Sequence, residues 1–361
     1  MTLDPTLPIH PQPTRPWLRR LRRIAIRMAC WWSFLACVLA GLVAFGTRPD
    51  PPVLHAITDV AVASERSQPM APIQRFPARD GAALAYRSYL PAGVGSPPIV
   101  VVMIHGSGGS GRDLNVLGRA LAQDGIPAFA PDIRGEGQSG RRGDIDYIGQ
   151  QEDDLADLTR LVVRRTYPGA RLVLVGHSSG GGFALRVAGE PVGRAFSRFV
   201  LLSPNLGHLA VSTRPAAGGW VSTYIPRIIG LRILGRLGVH AFDGLPVLGF
   251  AVPKVGITSV PTAHWSYRMM MNFGPHGETD LRPGAYKRDV DRAPGPVEVL
   301  SGAKDEIFYA DRYVQALAGT TPAVKVQVLP GVTHMGLVSQ PVAVAAVIAA
   351  VKGLSPNAPG A

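Results

Sequence analysis

Cysteine is nearly absent, and its placement rules out a covalent framework: Cys30 and Cys37 both fall inside one apolar N-terminal segment. The rest of the chain therefore has no disulfide and no thiolate chemistry. Charged residues are also sparse, at 17% of the sequence, yet no stretch in the middle has the composition of a disordered region. There is no H-E-x-x-H motif and no Cys/His cluster with ligand spacing, so neither a metal nor another cofactor is expected. The lysine of a phosphate-binding G-x-x-x-x-G-K-[ST] loop is missing. No basic stripe with interleaved aromatics occurs either, so nucleic acid is not an expected partner despite a formal net charge of +12.

Part of that charge has a simpler origin. Arg15, Arg19, Arg20, Arg22, Arg23, Arg27 and Arg48 face only Asp4 and Asp50 in the first fifty residues. Behind the arginine cluster, Met28 to Phe45 runs without a charge, about 27 Å as a helix, close to a bilayer's hydrocarbon thickness. Ile24 to Ile26 extend it if Arg27 snorkels. The expectation is a cytoplasmic basic segment over 1–23 and a transmembrane signal anchor over 24–46. With the arginines preceding the span, the rest of the chain falls on the non-cytoplasmic side. The alternative is a signal peptide cleaved near Ala44-Phe45-Gly46, although such apolar regions are usually shorter. Pro49, Pro51 and Pro52 mark 47–72 as a linker.

With 361 residues, 46% of them hydrophobic, the chain can build one large α/β domain with an insertion. Ile73–Phe76 and Ala83–Tyr89 read as a hairpin around Asp80-Gly81. Ile99 to Ile104 is a β-branched run of the kind buried on both faces of a parallel sheet. Helices are expected over 113–123 and 147–166, and short strands over 127–130, 171–175, 198–202, 297–300 and 324–329. A closing helix over 341–351 precedes a loose tail at 354–361.

Between the fifth of these strands and an apolar helix pattern stands Gly176-His177-Ser178-Ser179-Gly180. A serine on a sharp strand-to-helix turn has its hydroxyl pushed over the sheet edge, and small residues on either side let the two backbones cross. Three further turns follow other strands: His105-Gly106-Ser107-Gly108-Gly109, Ser301-Gly302-Ala303-Lys304-Asp305, and Pro330-Gly331-Val332-Thr333-His334. In a parallel sheet all strand C-termini lie on one edge, so Ser178, Asp305 and His334 are brought together there. That order of nucleophile, acid and base suits acyl transfer: His334 as base for Ser178, and Asp305 holding the imidazole. Glu306 is a rival acid, pointing the other way if Asp305 points in. No carboxylate occurs from Pro191 through Phe242, so none can act from the preceding strand. His177 should point away from Ser178, and His105 should orient backbone.

The chain resembles the α/β-hydrolase superfamily, in particular the branch of monoacylglycerol lipases, lysophospholipases and serine aminopeptidase-like hydrolases. The resemblance rests on His105-Gly106, the serine pentapeptide, Asp305, His334 and Asp132-Ile133-Arg134-Gly135-Glu136-Gly137-Gln138-Ser139. In the last of these, Glu136 stands where that branch frequently has histidine. The resemblance implies a mostly parallel sheet flanked by helices, with core segments 73–206 and 295–353 and a cap insertion over 207–294. It also implies an oxyanion hole from the backbone N–H groups of Ser179 and Ser107, with Gly108 or Gly109 as alternative donors to Ser107. Within the cap, Trp265, Met269, Met270 and Met271 are candidate substrate contacts, since methionine suits an adaptable apolar pocket.

The expected activity is that of a membrane-anchored serine hydrolase acting on carboxylic esters, preferably lipids such as monoacylglycerols or lysophospholipids. The same triad also serves amidases, aminopeptidases and acyltransferases, and a non-catalytic binding protein could use the fold. An aminopeptidase would need an acidic site for its substrate's α-ammonium. The cap offers Asp243, Glu278, Asp280, Asp289 and Asp291.

Overall fold

The computed structural model describes residues 16–93, 95, 97–253, 262–276 and 284–354. Residues 1–15 of the expected cytoplasmic segment, the tail beyond Leu354, and Glu278 and Asp280 lie outside the described residues.

The chain opens with helix α1 (Pro16–Phe45). Its stretch Trp17–Phe45 is long and apolar enough to cross a membrane, and Trp31, Trp32 and Phe34 on it are exposed. The helix begins within the arginine cluster, earlier than the uncharged run, because arginine is a good helix former and nothing interrupts it. Its last turn is packed against the domain. Val43 is buried beside Leu231, Val247 and Tyr267.

The stretch read as a plain linker contains a second helix, α2 (His55–Ser67). It packs on the domain: Ile57 belongs to the main core, Leu54 N–H donates to Ala251 O (3.1 Å), and Arg112 pairs with Glu65 (2.8 Å). Three nearby prolines suggest an irregular linker, but all precede His55 and none interrupts the helix.

Next come β1 (Ile73–Pro77), β2 (Ala83–Tyr89), β3 (Ile99–Ile104), α3 (Asn115–Gln123) and β4 (Ala128–Pro131). Helix α4 (Gln150–Leu158) passes through a π turn (Thr159–Val163) into a final turn, α5 (Arg164–Thr166). It starts three residues later than the sequence pattern suggests because Gly149 is left-handed (φ 103°). Then follow β5 (Arg171–His177), α6 (Ser179–Ala188) and β6 (Arg198–Leu202).

Between β6 and the next core strand, the described residues of the expected cap build β7 (Val221–Thr223), α7 (Ile225–Arg236), β8 (Pro246–Phe250), β9 (His264–Ser266), α8 (Tyr267–Phe273) and α9 (Lys287–Asp291). The three strands form an antiparallel sheet, a regularity that strands of three to five residues do not announce in sequence. The core closes with β10 (Val297–Gly302), α10 (Tyr313–Ala316), β11 (Lys325–Leu329) and α11 (Pro341–Lys352).

The main sheet has eight strands in the order β1-β2-β4-β3-β5-β6-β10-β11. β1, β2 and β4 pair antiparallel, and every pairing from β4 to β11 is parallel. All six residues of β3 are buried, as the β-branched run requires when helices cover both faces. The loops leaving β3, β5, β10 and β11 therefore share one edge, beneath the cap.

Candidate active site

Ser178 sits where β5 turns into α6, with φ 58° and ψ −123°. A non-glycine residue there is strained and persists because the backbones around it cross closely. A Cβ on Gly176 would lie 2.3 Å from Gly180 O, and one on Gly180 would lie 2.3 Å from His105 O. Neither position admits a side chain, so the serine is held up over the strand ends.

His334 follows β11, and its Nδ1–H donates to Asp305 Oδ2 at 2.8 Å, both side chains being buried. The other carboxylate oxygen, Oδ1, accepts from the backbone N–H of Ile307 and of Phe308, each at 2.8 Å. Burial alone would raise the Asp305 carboxyl, but the neighbouring imidazole and these donors bring it to about 2. An ionised Asp305 fixes the His334 tautomer, with the proton on Nδ1 and the Nε2 lone pair open to a donor. His334 and Ser178 line a common cavity.

Two neighbours of the histidine have structural roles that the sequence did not make plain. Glu306 is turned away from the imidazole, and its carboxylate accepts the backbone N–H of His334 (2.9 Å). His177 reaches the same loop: its Nε2–H donates to His334 O (3.1 Å), with the two rings 4.6 Å apart. Desolvation, assisted by the facing His334, lowers His177 to about 3, so it stays neutral. His177 therefore reaches the backbone of His334 while lining one cavity with Ser178.

The glycine-rich turn after β3 lies against Ser178. A Cβ on Gly106 would come within 3.1 Å of Ser178 Cβ. His105 orients this turn, its Nδ1–H donating to Gly106 O (2.8 Å) and its Nε2 accepting from Ile133 N–H (3.1 Å). The backbone donors beyond Ser107 are committed elsewhere. Gly108 N–H goes to Glu136 Oε1 (2.9 Å), Gly109 N–H to Gly106 O (3.3 Å), Ser110 N–H to Asp113 Oδ2 (3.2 Å) and Gly111 N–H to Asp132 Oδ1 (2.8 Å). Glu136 also accepts the indole N–H of Trp265 (2.6 Å). Desolvation outweighs these hydrogen bonds and pushes Glu136 up to about 8, so it is neutral at pH 7. A buried acid here ties the oxyanion turn to the cap.

Under the cap, Ser178 and Ser179 stand at the base of a cleft of about 1100 Å³. Of the four cap candidates, Trp265, Met270 and Met271 line it. Met269 does not: it is fully buried in the core, since consecutive helical residues point about 100° apart and only part of the run can face the cleft. Ile228, Ile229, Phe250 and Phe308 complete much of the apolar wall. Arg48, Arg214, Arg232 and Arg312 also line it, and no carboxylate does among the described residues. The described cap acids are engaged elsewhere: Asp243 with His240 (2.9 Å), Asp289 with His276 (2.8 Å), and Asp291 with Thr321 N–H (2.8 Å). Among the described residues no group of His, Cys, Asp and Glu could hold a metal.

Comparison with solved structures decides the architecture. A soluble variant of monoglyceride lipase from Saccharomyces cerevisiae, in complex with a substrate analogue, superposes with a TM-score of 0.57 at 17% identity, covering 80% of this chain and 95% of that one. The chain has the α/β-hydrolase fold. The monoacylglycerol lipase of Paleococcus ferrophilus gives a TM-score of 0.53 at 18% identity, over 75% of this chain and 99% of that one. Residues 95–238 match the serine aminopeptidase S33 family. Human monoglyceride lipase is 32% identical over 127 residues, 35% of this chain and 40% of that protein. The matched segment thus spans about two-fifths of the curated relative. These likenesses lie in the monoacylglycerol lipase branch that the motifs suggest.

Proposed function

We propose that this chain is a membrane-anchored serine hydrolase that cleaves carboxylic esters of lipids, of the monoacylglycerol or lysophospholipid type. The observation that carries the proposal is the placement of Ser178, on a strained turn at the base of the apolar cleft and in one cavity with the Asp305-paired His334. His334 Nε2 takes the Ser178 proton as Oγ attacks the ester carbonyl. The developing oxyanion is met by the backbone N–H groups of Ser179 and Ser107. The commitment of the Gly108 and Gly109 N–H groups favours Ser107 over the two alternatives. Collapse expels the alcohol, and water hydrolyses the acyl-enzyme by the same path in reverse. No step calls for a metal or cofactor.

Ester rather than aminoacyl substrates fit the cleft's charge. Four arginines and no described carboxylate surround it, which opposes a cationic α-ammonium. The human and yeast relatives are named as monoglyceride lipases, in accord with this reading. Helix α1, with arginines in its first turns ahead of the uncharged run, supports the anchor, with the hydrolase domain on the non-cytoplasmic side. The core and cap boundaries given by the motifs belong to the same proposal.

One experiment tests activity and anchoring together. A fluorophosphonate probe should label the full-length chain in salt-washed membranes, and Ser178→Ala should carry no label. Label confined to the soluble fraction overturns the anchor, and unchanged label in the variant overturns the mechanism.

A further inference from the structure

Two cavities, unequal in size and lining, meet at Ser178. One is the cleft of about 1100 Å³ under the cap. The other is a pocket of about 90 Å³ along the glycine-rich turn after β3, walled by one face of α2: Ile57, Thr58, Ala61, Val62 and Glu65. These positions recur at helical spacing, so the whole face is presented to the pocket. Trp220 stands at the boundary between the two cavities, lining both, and its indole N–H donates to Ser107 Oγ (3.1 Å).

We propose that α2, a helix outside the region matched to the S33 family, forms the wall of a leaving-group pocket and selects the alcohol portion of the ester. This rests on the serine hydrolase reading above. The argument turns on the histidine. When the tetrahedral intermediate collapses, the oxyanion electrons re-form the carbonyl and the bond to the alcohol oxygen breaks. That oxygen takes the proton from the His334 imidazolium, leaving the acyl ester on Ser178. The departing oxygen must therefore lie on the His334 side. His334 and Met335 line the α2 pocket and are not among the residues lining the cap cleft, whereas Ser179 lines the cleft and not the pocket. The acyl chain is thus assigned to the cap, and the alcohol to α2.

The lining matches that division. Hydroxyls of Thr58 and Ser110 and the carboxyls of Glu65 and Asp113 stand among the apolar side chains of the pocket, a set that suits a small polyol. Desolvation, with Glu65 nearby, pushes Asp113 up to about 7, so its carboxyl can donate as well as accept. The helix is also held in place: Glu65 is paired with Arg112 on the core, and Leu54 is bonded to Ala251 in the cap.

The test compares mono-octanoylglycerol with methyl octanoate, which share an acyl chain and differ in the alcohol. In the full-length protein, Ala61→Phe fills the pocket and should lower the kcat/KM ratio of glycerol ester to methyl ester at least tenfold. Val62→Ala enlarges it without risk of overpacking and should raise relative activity on benzyl octanoate several-fold, which keeps the test valid if the phenylalanine variant does not fold. With a variant that melts like the wild type, an equal fall on both octanoates, or an unmoved ratio in either variant, overturns the pocket assignment. Wild-type protein inert toward every ester would instead overturn the ester reading on which it rests.

Discussion

At the sheet edge, the candidate reacting groups are positioned by backbone. Asp305 accepts two main-chain N–H groups, the His334 loop is gripped by Glu306 and His177, and Ser178 is raised by a crossing that excludes any Cβ on either side. In the cap, position depends on side-chain packing around short strands, with Phe250, Trp265 and Phe273 stacked edge to face. Main-chain clamps fix a geometry to fractions of an ångström and tolerate little change. Packed side chains can be exchanged for others of similar volume. On the proposed reading, the edge is accordingly the place for chemistry and the cap the place for substrate choice.

Three variants probe this contrast. The largest effect belongs at the edge. Asp305→Asn keeps the shape but removes the charge that orients His334, and kcat should fall on the order of 10⁴-fold, measured with a soluble ester. A loss under tenfold would mean that the clamp alone positions the base. In the cap, each buried acyl methylene is worth about 0.8 kcal/mol, so p-nitrophenyl esters should improve roughly tenfold for every two carbons added between acetate and octanoate. Met270→Ala combined with Met271→Ala should flatten that profile, sparing acetate. A flat profile in the wild type would place the acyl chain elsewhere.

The smallest effect is at Glu136, where the two regions join. Its folded-state pKa, about 8 against an ordinary 4.5, means that the folded chain retains a proton which the unfolded chain releases. Stability from this group is full below about pH 4.5, falls as pH rises toward 8, and is level beyond. Glu136→Gln keeps an acceptor for Gly108 and Trp265 without titrating. Thermal melts from pH 5 to 9 should therefore decline less steeply in the variant, by at most about 1.4 kcal/mol per pH unit. Parallel declines would show that Glu136 is ionised in the fold.

The same contrast explains what could be read in advance. β3 and β5 are legible because strands buried on both faces are continuous apolar runs, and the serine turn is legible because its glycines are sterically obligatory. The cap sheet is not, since three residues of β7 or β9 carry no period. Helix α2 escaped notice for a related reason. Leu54 gives it no side-chain cap, β-branched Ile57, Thr58, Val60 and Val62 disguise it, and its stability comes from the core and cap it touches. Met269 is buried although it stands among the candidates, because a run of three methionines does not say which of them faces inward.

The end of α1 has a consequence of a different kind. Arg227 on α7 donates to the carbonyls of Val43 (2.8 Å) and Ala44 (3.1 Å), and Arg48, Pro51 and Pro52, just beyond, rim the cleft. A span joined this way is not a swivel. On the anchored reading it sets the tilt of the whole domain against the bilayer and keeps the cleft's rim at one height above the lipid. Encounter with substrate then becomes a two-dimensional search within a leaflet, and the rate follows lipid mole fraction in the surface rather than concentration in the bulk.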